Sequence, residues 1–118
     1  MEREVKRGDM FFAAMSGVGS EQSGYRPVVV LSNDIGNDRS GTVIAAVITS
    51  HTDKAKMPTH CRIKAQQGLG CDSLVLLEQI RTIDKLRLKE YIGTLNGEAM
   101  GRIDKALAVS VGLKKIAY

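Results

Sequence analysis

The sequence predicts a mainly β fold with one C-terminal helix, in which a small, strongly bent antiparallel sheet or barrel carries the helix on it. Three observations predict it. Short apolar runs rich in β-branched residues recur along the chain, at Val28 to Leu31, Thr42 to Thr49 and Ser73 to Ile80. The links between them are dense in turn formers, as in Ser32-Asn33-Asp34-Ile35-Gly36-Asn37-Asp38-Arg39-Ser40-Gly41. Only the tail changes period: beyond Asn96, the apolar residues Met100, Ile103, Leu107 and Val111 fall three and four apart, which is one face of a helix.

In order, Lys6-Arg7-Gly8-Asp9 is turn-like and Met10 to Ala13 reads as a first strand. Gly17 to Gly24 is a polar loop, and Pro27 opens the next strand, where a missing N–H costs nothing. The segment 32–41 is a surface connection to the strand Thr42 to Thr49. Asp53 to Pro58 is an exposed loop. Thr59 to Lys64 alternates, with Cys61 and Ile63 on one face and Arg62 and Lys64 on the other. Gln66 to Gly70 is a turn, and Ser73 to Ile80 an apolar strand that becomes polar at Glu78-Gln79. Thr82 is placed to cap a helical turn running to Leu88, with Asp84 in its first turn. Tyr91 to Leu95 is a weaker strand. The helix starts at the N-cap Asn96 and ends near Gly112.

At 118 residues, 43% apolar and 25% charged, the chain is expected to form a single domain over 1–118 without help from metals or disulfides. Lys and Arg number 17 against 13 acidic residues, a net charge of +4. That bias suits nucleic acid or an acidic partner, and with no polybasic arm any cationic surface must be assembled by folding. The longest apolar run, Val43 to Ile48, is far short of the roughly 20 residues that cross a bilayer. The charged N-terminus is not followed by a signal core, so the expected location is the cytoplasm. Cys61 and Cys71 read as free thiols there, since neither has the CxxC spacing of a zinc site and His60 is a lone imidazole beside Cys61. No metal or other cofactor is expected.

Three polar groupings border apolar strands: Glu21/Gln22/Arg26, Thr49/Ser50 and Glu78/Gln79/Arg81/Thr82. Strand ends of a small sheet converge on an edge, so the three could share a groove. The ordinary reading of Arg26 is a surface ion pair with Glu21 or another acid. The functional reading is a planar, permanently charged fork on phosphate oxygens. Thr49 is either a β-branched strand residue or a hydroxyl donor to the same oxygens. Glu78 and Gln79 are either the first solvated residues after a buried strand or readers of base edges. His51 and His60 suit acid–base chemistry in a nuclease, although single histidines are more often ordinary polar positions. No nucleophile elbow, P-loop or metal-ligand motif is present.

Arg7-Gly8-Asp9, the block Gly19-Ser20-Glu21-Gln22-Ser23-Gly24-Tyr25-Arg26-Pro27, the strand to Thr49, Pro58-Thr59-His60, Asp72-Ser73 and Glu78-Gln79-Ile80-Arg81-Thr82-Ile83-Asp84-Lys85 together resemble the MazF/PemK family of toxin endoribonucleases. The resemblance spans nearly the whole chain in order. It implies an SH3-like barrel of the MazF/CcdB-like toxin fold, a homodimer, and metal-independent cleavage of single-stranded RNA, usually mRNA, leaving a 2′,3′-cyclic phosphate and a 5′-hydroxyl. By position, Arg26 and Thr49 match the family's catalytic pair, while Ser20, Glu21, Gln22, Glu78 and Gln79 match its RNA-binding residues. It also implies a MazE-like antitoxin whose flexible acidic tail lies over the RNA groove. A non-enzymatic toxin of the same fold that poisons a protein such as DNA gyrase is the alternative, because fold alone does not set function. The chain departs from the pattern at Met15-Ser16-Gly17-Val18, a slightly short loop that leaves the RNA recognition sequence open.

Overall fold

The computed structural model describes residues 4–17, 19, 24–52, 57–66 and 68–115. Six strands and two helices follow one another as β1 (Asp9–Met15), β2 (Gly24–Val30), α1 (Asp34–Arg39), β3 (Thr42–Thr49), β4 (His60–Ile63), β5 (Ser73–Asp84), β6 (Leu88–Thr94) and α2 (Gly97–Ser110). The strands form one antiparallel sheet in the order β4-β5-β3-β2-β1-β6. A mainly β fold with a C-terminal helix is therefore what the chain adopts.

The sheet buries apolar side chains on both faces, which is why its central strands read as unbroken apolar runs. One face carries Met10, Val29, Ala46, Ile48, Val75 and Leu77, together with Cys61 and Ile63 of β4 and Ile92 of β6. The two edge strands can meet in one cluster only because the sheet curls around it. Helix α2 closes that cluster with Ala99, Met100, Ile103 and Ala106. The other face gathers Phe11, Ala13, Val28, Val30, Val43, Ala45 and Ile83. Strand β5 serves both clusters because it bends. Its register on β3 breaks between Ala46 and Val47, which face Ile80 and Leu76, so residues 77–79 have no partners there. This is a bulge, and it re-aims the second half of the strand.

Local chemistry explains most departures from the sequence-based expectations. β2 begins at Gly24, upstream of the expected Pro27, because β1 pairs with it from Met15 onward. Pro27 sits one residue before the ladder with β3 starts, so no donor is missed on that side. The 32–41 connection contains the short α1, which Asn33 caps by accepting from the Gly36 amide at 2.8 Å. Thr82 is not a cap: it lies within β5, and Asp84 caps a single 3₁₀ turn over Lys85–Arg87 by accepting from the Leu86 amide at 2.9 Å. The expected helix forms with Asn96 as its N-cap, accepting from Ala99 at 2.9 Å. Its core face shifts, however. Val111 is 48% exposed beyond the last turn, and the small Ala99 and Ala106 are buried instead, letting the helix approach the sheet closely.

Arg7 and Asp9 hold this frame together. Arg7 donates through Nε to the Leu31 carbonyl at 2.9 Å and pairs with Asp104 of α2. The buried Asp9 accepts from the Lys6 amide at 2.9 Å and the Thr94 hydroxyl at 2.7 Å. Among the described residues no helix is long and apolar enough to cross a membrane.

Candidate functional site

Arg26 is a strand residue, half-buried in β2 opposite Ala13 of β1. On its other side, Val28 faces Val47 and Val30 faces Ala45 across β3. Carried two residues past Val28, the same register sets Arg26 level with Thr49. The twofold side-chain period keeps both on the face of Val28 and Val47. Thr49 is only 4% exposed, and its hydroxyl accepts from the His51 amide at 3.2 Å. That bond uses a lone pair and leaves the hydroxyl proton available to a ligand oxygen. A guanidinium-bearing and a hydroxyl-bearing residue thus fall on one face of adjacent strands.

Glu78 does not lie at a strand end. It stands in the β5 bulge, where the missing β3 pairing lets its side chain turn toward β4. There one carboxylate oxygen accepts from the Thr59 hydroxyl at 3.1 Å, and the other is 2.9 Å from Nε2 of His60. The His60 side chain is only 7% exposed, and its Nδ1 is buried without a hydrogen-bond partner among the described residues. His60 faces Leu76, which faces Val47, so it shares the face of Arg26 and Thr49. Gln79 follows in the same bulge, half-buried.

The Glu78 grouping comes apart in the fold. Past the bulge, Arg81 and Thr82 line a separate cavity of about 140 Å³ with Met15, Ser16 and Arg87. His60 and Cys61 also diverge, because neighbours on a strand face opposite sides. His60 goes to Glu78, whereas the Cys61 sulfur takes a 3.6 Å contact from Arg102. Burial pushes the Cys61 thiol above its ordinary pKa, with Arg102 partly opposing. Tyr25 stacks on Phe12 with ring centroids 5.3 Å apart, so one of its faces is already covered. His51 lies exposed past Thr49. Ser20, Glu21 and Gln22 lie outside the described residues. The partnership of Thr59 and His60 with Glu78 was not foreseen from the sequence. Its only signal there is the β4 alternation, which separates His60 from Cys61.

Residues 6–111 match the family model described as PemK-like, MazF-like toxin of type II toxin-antitoxin system. The chain belongs to this family. It is 55% identical over 111 residues to Endoribonuclease EndoA of Bacillus subtilis (strain 168), covering 92% of this chain and 96% of that protein. Among solved structures, MazF from Deinococcus radiodurans superimposes with a TM-score of 0.81 at 23% identity, over 94% of this chain and 99% of the other, a likeness of fold. A mycobacterial endoribonuclease in complex with its cognate antitoxin gives a TM-score of 0.77 at 25% identity, covering 95% and 99%. The strongly bent sheet and C-terminal helix are thus those of the MazF-like toxins.

Proposed function

We propose that this MazF-like chain is an endoribonuclease toxin that cuts single-stranded RNA without a metal, with Arg26 and Thr49 at the scissile phosphate. The observation that supports this reading is the β2–β3 register, with Val28 opposite Val47, whose continuation by two residues brings Arg26 level with Thr49. The 55% identity to a protein named endoribonuclease supports RNA as the substrate.

The ribose 2′-hydroxyl attacks the adjacent phosphorus, its oxygen forming a P–O bond as its proton leaves. The P–O5′ bond breaks, and the 5′-oxygen takes up a proton, leaving a 2′,3′-cyclic phosphate and a 5′-hydroxyl. Negative charge grows on the non-bridging oxygens. Arg26 meets it with a fixed fork of donors, and Thr49 adds a hydrogen bond. Arg26 does not supply the proton, since a guanidinium with a pKa above ~12 is a poor acid at neutral pH. Ser20, Glu21, Gln22, Glu78 and Gln79 bind the flanking nucleotides. Only unpaired bases offer their edges to such groups, which accounts for a single-stranded substrate.

The working form is a homodimer in the cytoplasm, with a MazE-like antitoxin as the neutralising partner. The antitoxin complexes among the structural neighbours support the second of these. A flexible acidic tail on that antitoxin occupies the groove of this net-cationic chain and competes with RNA. Simultaneous binding of tail and RNA in an NMR titration would rule out the competition.

Incubating the purified protein and Arg26→Ala with a long single-stranded RNA in EDTA tests the assignment. Rapid cleavage by the parent and a loss of about a hundredfold or more in the variant is expected. No cleavage by the parent, or equal cleavage by both, overturns it and favours a toxin that acts on a protein.

A further inference from the structure

We propose that Thr59 and His60 are positioning residues that hold the Glu78 carboxylate as a fixed acceptor for an RNA base with an exocyclic amine, and so select against uracil. This rests on the RNA-cleaving reading above and assigns the site a base preference that Arg26 and Thr49 cannot supply.

The geometry points to base reading and away from proton transfer. Leu74, four residues before Glu78, is the β5 neighbour of Thr49. At a rise of ~3.3 Å per residue, four residues of strand span roughly 13 Å, and a bulge shortens this only in part. A general base must come within about 3 Å of its proton. Glu78 is therefore remote from a phosphate held at Thr49 and at the right distance for a nucleotide flanking it.

Glu78 is also held in a particular way. Each of its oxygens takes one hydrogen bond from the start of β4, the hydroxyl of Thr59 in the turn just before the strand on one and the Nε2–H of His60, its first residue, on the other. Thr59 is buried and His60 nearly so, so both donors are fixed by packing. A carboxylate oxygen retains a second lone-pair direction after one bond. With those directions occupied, the remaining ones are acceptors only, on a side chain that is 34% exposed. Adenine, cytosine and guanine each present an exocyclic amine to such a group, whereas the single donor of uracil, N3–H, lies between two carbonyls, so a carboxylate that reaches it brings its second oxygen against a carbonyl acceptor. Nδ1 of His60 has no partner among the described residues, and this fixes the tautomer. Placing the proton on Nδ1 would strand a buried N–H, so the proton stays on Nε2 and points at Glu78.

The test measures cleavage of an RNA pool randomised around the cut site, together with kcat and KM on the preferred sequence, for His60→Ala, His60→Gln, Thr59→Val and Glu78→Gln. The parent should disfavour uracil at one flanking position. His60→Ala and Thr59→Val should weaken that preference by roughly fivefold to a hundredfold. The loss should appear as a raised KM, with kcat within about threefold. His60→Gln, whose amide again donates, should restore much of the preference. Glu78→Gln should admit uracil at the same position, because the amide can donate to its carbonyl. A uniform fall in kcat across all sequences with an unchanged base profile overturns the proposal, as does an unaltered profile in Glu78→Gln. If thermal melting shows that His60→Ala is unfolded, Thr59→Val and His60→Gln carry the decision. Arg26→Ala is run alongside. If it cleaves as fast as the parent, the RNA-cleaving reading fails; if it is inactive while the base profile ignores every other variant, only this inference fails.

Discussion

The hydroxyl of Ser110, at the end of α2, donates a 2.6 Å hydrogen bond to the carbonyl of Leu77 in β5. Leu77 opens the bulge, where the ladder with β3 is interrupted. Its amide is satisfied by the Thr59 carbonyl at 2.9 Å, and Ser110 satisfies the carbonyl. The helix thus completes the backbone hydrogen bonding of the segment that carries Glu78. Ser110→Ala should cost about 1–3 kcal/mol in urea unfolding, because a buried acceptor loses its partner. Amide exchange at residues 77–79 should also rise more than in β3. Unchanged exchange there would mean that the bulge is held without the helix.

Gly68 supports the β6 edge. Its φ is +90°, and a Cβ built on it would lie 2.2 Å from the carbonyl oxygen of Ile92. Gly68→Ala combines a left-handed backbone penalty of about 1–2 kcal/mol with a clash of similar or larger size. Gly112, at φ +79° with nothing within 4 Å, provides the comparison. Chemical unfolding should show Gly68→Ala losing about 2–5 kcal/mol and Gly112→Ala only the backbone part.

The two thiols should differ in reactivity. Cys71 is exposed, whereas Cys61 is buried and its pKa is raised, chiefly by desolvation. At neutral pH a thiol reagent should modify Cys71 within minutes and leave Cys61 untouched until the protein unfolds. The pH dependence follows from the sign of the shift. A thiol pKa higher in the folded state than in the unfolded one contributes stability below the unfolded value, about 8.5, which is lost as pH rises through the folded value. Melting temperature should accordingly fall above about pH 8.5, and Cys61→Ala should lessen that fall.

Thr49→Val keeps the β-branched shape at a buried strand end and removes only the hydroxyl. Cleavage of a defined single-stranded RNA should slow about a hundredfold to a thousandfold, while the melting temperature moves little. Arg26→Lys retains charge without the planar fork and should recover only part of the Arg26→Ala loss. Single-turnover rates in EDTA read both.

Much of this protein is determined by local sequence. The apolar runs of β3 and β5, the alternation of β4, and the Asn96 cap with its helix each depend on neighbours a few residues away, and each formed, although β5 runs on to Asp84 and Val111 lies off the helix core face. Where those expectations missed, a distant partner had decided. Gly24 to Arg26 became strand because β1 lies alongside them. Thr82 stayed in strand because β3 pairs with it at Ile44, leaving the cap to Asp84.

The site divides in the same way. That Arg26, Thr49, Glu78 and Gln79 were residues to examine was visible in the sequence, in their types and in the motif blocks around them. Which of them face each other was not, because register between strands is set by pairing across the sheet and a one-residue slip would turn every side chain to the other face. The tertiary structure alone set the β2–β3 register whose continuation brings Arg26 toward Thr49, moved Glu78 into a bulge, and gave it Thr59 and His60 as partners from 19 and 18 residues earlier in the chain.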